Sequence, residues 1–383
     1  MSALLRSARI GRRNRRRGWK NNDGAVPANE HRRGKSIIHG DPGGEKIHII
    51  NAAATAAEWS FLMKVLSVAK PPITSYMTHA PVLSILSTTS EYIPWFLLNY
   101  IQIRVLDDGV DFYHFYGDNY NCPFLDNTYI ARAFFDKYIG GSIIDFFVNV
   151  IDDNYYIIVI VNQNEVSLFP KYNHPSMHPI FIYGYNEQLR SFNVADFFKN
   201  GIYDFANATY SEIENGYISC NEKLHWQKGI VLIKRKSFDK KYSISDYSDA
   251  LERYLYGKES SWCYNHIHDT HVLFGIDSFY ERLVKEANLF KRNKQFDNRV
   301  FAICCDHIVV LKMLIEYIQD QNRKNYNNLV DKCETQLQLS LQLRNKIIKF
   351  GIQNKHSHFD IDDVMDLKYQ ESDLIKDILN SLK

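Results

Sequence analysis

The sequence predicts an α+β fold in which an antiparallel sheet with packed helices precedes an all-α helical bundle. In the first half of the chain, short runs rich in Ile, Val, Phe and Tyr alternate with turn residues, which is typical of strands. In the last third, apolar residues recur at helical spacing over long stretches that end at Gly257 and Gly351. We therefore divide the 383 residues into an N-terminal segment over 1–62, a sheet domain over 63–236 and a helical domain over 237–383.

The N-terminal segment 1–62 differs from the rest of the chain in composition. It has twelve Lys or Arg against five Asp or Glu, and none of the 25 tyrosines of the chain. So few apolar residues predict a disordered, solvated basic tail, which we favour over a nucleic-acid-binding arm or a transit peptide. The change of composition also favours Met63 as the true start, with residues 1–62 lying upstream of the native protein.

The predicted elements follow from apolar periodicity and turn residues. In the sheet domain we expect a capping box from Thr209 to Glu212, helices over 78–87, 124–138 and 143–151, and strands over 101–105, 110–116, 155–161, 179–185, 192–197 and 230–234. In the helical domain we expect helices over 245–256, 278–290, 300–318, 326–350 and 361–382.

Composition excludes several classes of protein. The six cysteines have no repeated spacing, so we expect no disulfide framework and a cytoplasmic location. No run of about 18 apolar residues occurs, so we expect no membrane span. With 46 basic and 44 acidic residues, the whole chain gives no reason to expect nucleic acid as its main partner.

One histidine and one acid stand out in the sheet domain. His178 opens a predicted strand and Asp196 closes the next, across a short polar turn. The start of one strand lies beside the end of its antiparallel neighbour, so we expect the two side chains to meet. A carboxylate that fixes the tautomer of an imidazole prepares that imidazole to act as a general base, although such a pair is more often structural.

The residues around this pair resemble a known family. His178, five residues, Gly184-Tyr185-Asn186 and then Val194-x-Asp196 resemble the second half of papain-like cysteine peptidases, in particular the bacteriocin-leader peptidases. The pattern is most similar to the N-terminal domain of butirosin-biosynthesis protein H and its relatives. The resemblance extends over about 71–236 and implies a papain-like fold, followed by a helical region.

In that family the nucleophile is a cysteine at the start of the first helix, followed after four residues by aliphatic positions. Here the aliphatic Val82 fits the pattern, and the cysteine position falls on Met77. A thioether has no proton to lose, so it cannot serve as this nucleophile. The sequence offers two substitute nucleophiles, Thr78 and Cys122. We interpret Thr78 rather as a helix cap and Cys122 rather as a buried structural cysteine.

Two further clusters of polar residues are candidate metal or reactive sites. The first comprises Cys263, His266, His268, Asp269 and His271, and the absence of a second ligand pair nearby in sequence favours a polar loop over a zinc site. The second comprises Cys304, Cys305, Asp306 and His307, whose side chains diverge around a helix, so we expect core positions for one or both cysteines. We therefore expect neither a metal nor another cofactor.

The resemblance implies a papain-like acyltransferase or peptidase relative of bacterial secondary metabolism, such as antibiotic biosynthesis. Its partners would be a peptide, an acyl group delivered on a carrier protein, or a partner subunit. Without a cysteine at Met77, we expect a protein that binds such a ligand and is degenerate in catalysis. The alternative is an active acyltransferase or amide hydrolase that uses Thr78 or Cys122 as nucleophile and His178 as base.

Overall fold

Strands and helices alternate through the first half of the described chain, and helices fill the second half. A computed structural model describes residues 62–106, 109–112, 122–199, 201–220, 229–258 and 272–382. The strands are β1 (Met63–Val65), β2 (Ile103–Val105), β3 (Val110–Phe112), β4 (Leu125–Ala131), β5 (Tyr156–Asn162), β6 (Met177–Asn186), β7 (Ser191–Phe197), β8 (Tyr203–Thr209), β9 (Gly229–Arg235) and β10 (Leu273–Phe274). The helices are α1 (Ala80–Leu86), α2 (Ile93–Asn99), α3 (Arg132–Phe134), α4 (Ile143–Asp152), α5 (Tyr210–Ile218), α6 (Ile244–Leu255), α7 (Gly275–Lys291), α8 (Arg299–Asn322), α9 (Asn327–Ile352) and α10 (Asp362–Leu382). The predicted α+β class is confirmed.

The larger sheet is antiparallel throughout and carries the candidate site. Its strand order is β4-β9-β5-β6-β7-β8, and β1 pairs with β6. All seven residues of β5 are buried, which explains why the sequence shows a continuous apolar run there rather than alternation. Helix α5 begins with the predicted capping box: the Thr209 hydroxyl accepts from the Glu212 N–H, and the Glu212 carboxylate accepts from the Thr209 N–H.

A second, small sheet joins the first half of the chain to the helices. It has the order β10-β2-β3, so a strand that follows α6 pairs with one that lies between β1 and β4 in the chain. Helix α2 packs against α6 and α8, and β2 packs against α7. All described residues belong to a single compact unit, within which the predicted boundary at residue 236 falls.

One predicted helix is wrong. Residues 124–138 contain strand β4, paired along its whole length with β9 from Leu125↔Arg235 to Ala131↔Gly229, and only then the short α3 and a π-helical turn, Phe135–Ile139. The run Asp-Asn-Thr-Tyr-Ile has few strong helix formers, and the pairing with β9 decides its conformation. The sequence did not predict strands β1, β8 and β10 or helix α2.

The helical region agrees with the prediction more closely. Each of the five expected helices is present, and Gly257 follows α6 with a positive φ of 59°. Helix α9 continues through Gly351, contrary to the prediction, and the left-handed residue after it is Asn354, with a φ of 53°. Asparagine tolerates this conformation better than most residues.

Three expectations lie outside the described residues: the disordered segment, the residues 113–116 assigned to a strand, and the cluster from Cys263 to His271. None of the helices that the structure describes is long and apolar enough to cross a membrane.

Candidate functional site

The structure brings His178 and Asp196 together as the sequence predicts. His178 is the second residue of β6, and Asp196 is the penultimate residue of the neighbouring β7. His178 Nε2 lies 3.0 Å from Asp196 Oδ1. The Asp196 side chain is fully buried, whereas that of His178 is 30% exposed. The pair therefore combines a hidden carboxylate with an imidazole that a ligand can reach.

Burial and the contact between the two side chains shift the pKa values of both residues. Burial of the imidazole lowers the pKa of His178, but the charge and hydrogen bond of Asp196 outweigh it, so the pKa is raised. Burial also raises the pKa of Asp196, against the opposing effects of His178 and the Phe197 N–H. Asp196 Oδ1 accepts from that N–H at 2.6 Å, and Oδ2 is buried with no partner among the described residues.

The contact also assigns roles to the two imidazole nitrogens. A carboxylate only accepts hydrogen bonds, so Nε2 carries the proton that faces Asp196. No hydrogen bond within the described residues reaches Nδ1 of His178. The His178 side chain is the more exposed of the two side chains. Nδ1 can therefore accept a proton from a ligand when the ring is neutral, or donate one to a carbonyl when the ring is charged. The Phe169 ring packs edge-on against the imidazole at 5.8 Å.

Helix α1 packs against the face of the large sheet opposite to this pair. The Ser84 hydroxyl donates to the Tyr203 hydroxyl at 3.2 Å, and Tyr203 pairs with Phe197, which follows Asp196 in β7. Because neighbouring residues of a strand point to opposite faces, Tyr203 and Ser84 lie on the face away from Asp196 and His178. The structure therefore places α1 and the dyad on different sides of the sheet.

Met77 lies on the side of this helical segment that faces the sheet. The Ala80 N–H donates to the Tyr76 carbonyl at 3.0 Å, so the helical turn starts before α1 itself. Met77 is seven residues from Ser84, which is two turns, and the two share one face. Met77 is buried. Met77 therefore points to the side of the sheet opposite to His178 and Asp196, and no described hydrogen bond, ion pair or ring contact joins Met77 or Thr78 to the dyad. The structure does not bring the expected nucleophile position to the pair.

The two substitute nucleophiles, Thr78 and Cys122, have different surroundings. Thr78 does not cap α1: His79 is the N-cap residue, without a side-chain bond, and the Thr78 hydroxyl is buried with no described partner. Cys122 is buried, which raises the pKa of its thiol to about 12, and it precedes strand β4 rather than a helix. The predicted helix dipole is therefore absent there, and Cys122 is structural, as the favoured interpretation expected.

The helical region contains a buried polar network that the sequence did not predict. His307 Nδ1 lies 2.9 Å from Glu371 Oε1, and its Nε2 lies 2.8 Å from the carbonyl oxygen of Ile101. The hydroxyls of Tyr254 and Tyr280 donate to the two oxygens of Glu371 at 2.9 and 2.6 Å. All four side chains are buried and the contact spans 64 residues of sequence, so no local pattern marks it.

The expected core positions of the adjacent cysteines are confirmed, since Cys304 and Cys305 are both buried. Among the described residues, no group of three or more His, Cys, Asp or Glu side chains could hold a metal ion. Cavities of about 360 and 120 Å³ lie between α9 and α10 and share Gln370. Their lining contains none of the candidate residues.

Comparison with known proteins adds no relative. The chain matches no family model, and no curated protein shows significant similarity to it. The papain-like resemblance therefore rests on the motif around His178 and Asp196 and on the elements that carry it.

Proposed function

We propose that this chain is a papain-like protein of bacterial secondary metabolism that binds a peptide or a carrier-linked acyl group and is degenerate in catalysis. The observation that carries the proposal is the His178–Asp196 contact at 3.0 Å, with the carboxylate hidden and the imidazole accessible.

The chemistry left to such a site is recognition of a carbonyl or carboxylate. Asp196 raises the pKa of His178 against the effect of burial, which favours an imidazolium whose Nδ1–H can donate to a peptide carbonyl or a thioester oxygen. Covalent acyl transfer would also require a thiolate or an activated hydroxyl. Met77 supplies neither, and Cys122 keeps its proton.

One observation favours a second candidate function. The hydroxyl of Thr78 is buried and has no described partner, next to the position where the family has its nucleophile. This candidate requires the segment before α1 to move to the dyad. His178 could then remove the hydroxyl proton, and the oxygen could attack a thioester carbonyl and expel a thiol, which takes up that proton. The chain would then be an acyltransferase or hydrolase with a threonine nucleophile.

Ligand binding tests the main proposal. We expect an acyl-pantetheine thioester to bind the wild type and to bind His178→Ala at least tenfold more weakly, because the variant lacks the imidazolium that donates to the carbonyl oxygen. His174→Ala, at an exposed position before β6, serves as the matched control. Wild-type protein should also stay unalkylated at Cys122 by iodoacetamide, as judged by peptide mass spectrometry.

The contrary results are equally specific. Equal affinity of the wild type and His178→Ala for the thioester would contradict the main proposal. Rapid alkylation of Cys122 in the wild type would restore that residue as a nucleophile. Acyl transfer from an acyl-pantetheine thioester by the wild type, lost in Thr78→Val, would favour the second candidate, and the matched variant Thr335→Val, on the outer part of α9, serves as control.

A further inference from the structure

We propose that the rings of Phe169 and Phe198 form an apolar subsite beside His178, which selects ligands whose carbonyl group carries an extended apolar chain. This inference rests on the proposed function, because it concerns the ligand that His178 recognises. Its evidence is the packing of aromatic rings next to the imidazole and the backbone contacts that hold these rings in place.

The Phe169 ring covers one side of the imidazole. Its centre lies 5.8 Å from the centre of the His178 ring, and the two ring planes meet at 71°. This edge-to-face arrangement is one that aromatic rings prefer. The Phe169 side chain is fully buried, so it closes that side of the imidazole with apolar surface.

Phe198 continues this apolar surface towards solvent. Its ring packs against that of Phe169, with 5.4 Å between the two centres. Phe198 follows Asp196 by two residues and, unlike Phe169, is only half-buried. The half-buried phenylalanine and the 30% exposed imidazole of His178 therefore contact the same buried ring. A ligand bound at His178 has an apolar surface close by that it can cover without entering the core.

Backbone contacts hold the two rings in place. The Lys199 N–H donates to the Leu168 carbonyl at 3.1 Å, which joins the residue after Phe198 to the residue before Phe169. The Ser167 N–H donates to a carboxylate oxygen of Glu212 at 2.9 Å, so the same loop is also attached to α5. Because the rings are held before a ligand arrives, little conformational entropy is lost when an apolar group packs on them.

The chemistry of this subsite favours one class of acyl group. Each methylene group of an apolar chain gains free energy when it leaves water for the rings, whereas a polar chain would lose its hydrogen bonds with water there. An acetyl group ends beside the imidazole, but a hexanoyl chain is long enough to extend past it towards Phe198. The subsite therefore fits apolar acyl chains of medium length.

Thioesters that differ only in chain length test the inference. We expect hexanoyl-pantetheine to bind the wild type at least tenfold more tightly than acetyl-pantetheine, as measured by titration calorimetry, because its methylene groups pack on Phe198. Phe198→Ala should reduce this ratio to less than about threefold, whereas Phe198→Leu should retain most of it. Phe134→Ala, which removes an exposed ring on α3, is the matched control and should leave the ratio unchanged.

Equal binding of the two thioesters to the wild type would overturn the inference, and so would an undiminished ratio in Phe198→Ala. If that variant does not fold, the wild type decides: a nuclear Overhauser effect should join the terminal methyl group of the bound hexanoyl chain to the Phe198 ring, and its absence overturns the inference. Binding of acetyl-pantetheine that requires His178, without a preference for the longer chain, would refute the subsite and leave the proposed function intact. Binding of neither thioester would contradict both.

Discussion

His178 Nε2 lies 3.0 Å from Asp196 Oδ1, and this contact joins the beginning of β6 to the end of β7. The contact leaves Nδ1 of the imidazole as the nitrogen that a ligand can use. It also makes the charge of the imidazole depend on one buried carboxylate, which gives the first prediction.

We predict that Asp196→Asn lowers the pKa of His178. The charge and hydrogen bond of Asp196 are what raise that pKa above its ordinary value, while burial alone would lower it. NMR titration of the His178 ring protons measures the change, with Asp204→Asn, the residue that pairs with Asp196 across β7 and β8, as control. A His178 pKa that is unchanged in Asp196→Asn would contradict the assignment of the pair.

The same shift has a consequence for stability. Because the folded-state pKa of His178 is raised, the folded protein binds this proton more tightly than the unfolded chain does. The stabilisation is therefore fully present below the unfolded pKa of about 6.5 and is lost as the pH rises through the folded value. We expect Asp196→Asn to remove this component of the pH dependence of unfolding.

We predict that Glu371→Gln lowers the free energy of unfolding by about 3–5 kcal/mol, the range typical when one partner of a buried charged pair is removed. His307 and the hydroxyls of Tyr254 and Tyr280 all contact the two carboxylate oxygens of Glu371, whereas a glutamine offers one acceptor oxygen and would leave a buried donor without its partner. Urea denaturation measures the loss.

Lys332→Ala is the contrasting variant for that experiment. Lys332 and Asp377 also form a pair, at 2.6 Å, but both side chains are exposed, so we expect a change of at most about 1 kcal/mol. Equal effects of the two variants would contradict a special role for the buried network.

We predict that Asp306 makes the protein less stable as the pH rises from about 4 to about 6. Burial raises the pKa of this carboxyl to about 6, above the value of about 3.9 in an unfolded chain. The folded state therefore binds the proton more tightly, and ionisation costs at most about 3 kcal/mol. Asp306→Asn should flatten this part of the pH profile of urea unfolding; a profile identical to that of the wild type would refute the prediction.

We predict that three cysteines stay unreactive in the native protein at pH 8. Burial raises the pKa of Cys122, Cys305 and Cys333 to about 12, so almost none of each thiol is ionised. Cys220 is only half-buried and should be alkylated first among the described cysteines. Peptide mapping after brief iodoacetamide treatment gives the order, and unfolding in urea should release the other three. Early alkylation of Cys122 would contradict this order.

The sequence predicted those features that depend on neighbouring residues. The capping box at Thr209 and Glu212 has a local pattern, and so does the helical spacing after residue 237. His178 and Asp196 could be paired because only a short turn separates their strands. Each of these inferences depends on a single helix or strand, or on two strands that are adjacent in the sequence.

The features that the sequence did not reveal depend on distant partners. Strand β4 differs from the predicted helix because its conformation is decided by pairing with β9, about 100 residues later. Glu371 was missed because its partner His307 lies on another helix, and Asp306 was recognised only as part of a cluster, although it binds the backbone before Met77. In each case tertiary packing, rather than local propensity, fixes the role of the residue.

The central claim is that His178, held by Asp196, presents Nδ1 to a carbonyl ligand. Titration of the wild type with an acyl-pantetheine thioester, followed by the ring-proton NMR signals of His178, tests it most directly, with His178→Ala to assign those signals. We predict that the His178 signals shift on binding and that Asp196→Asn weakens binding at least tenfold. Unchanged His178 signals in wild-type protein saturated with the thioester, or equal affinity of Asp196→Asn, would contradict the claim.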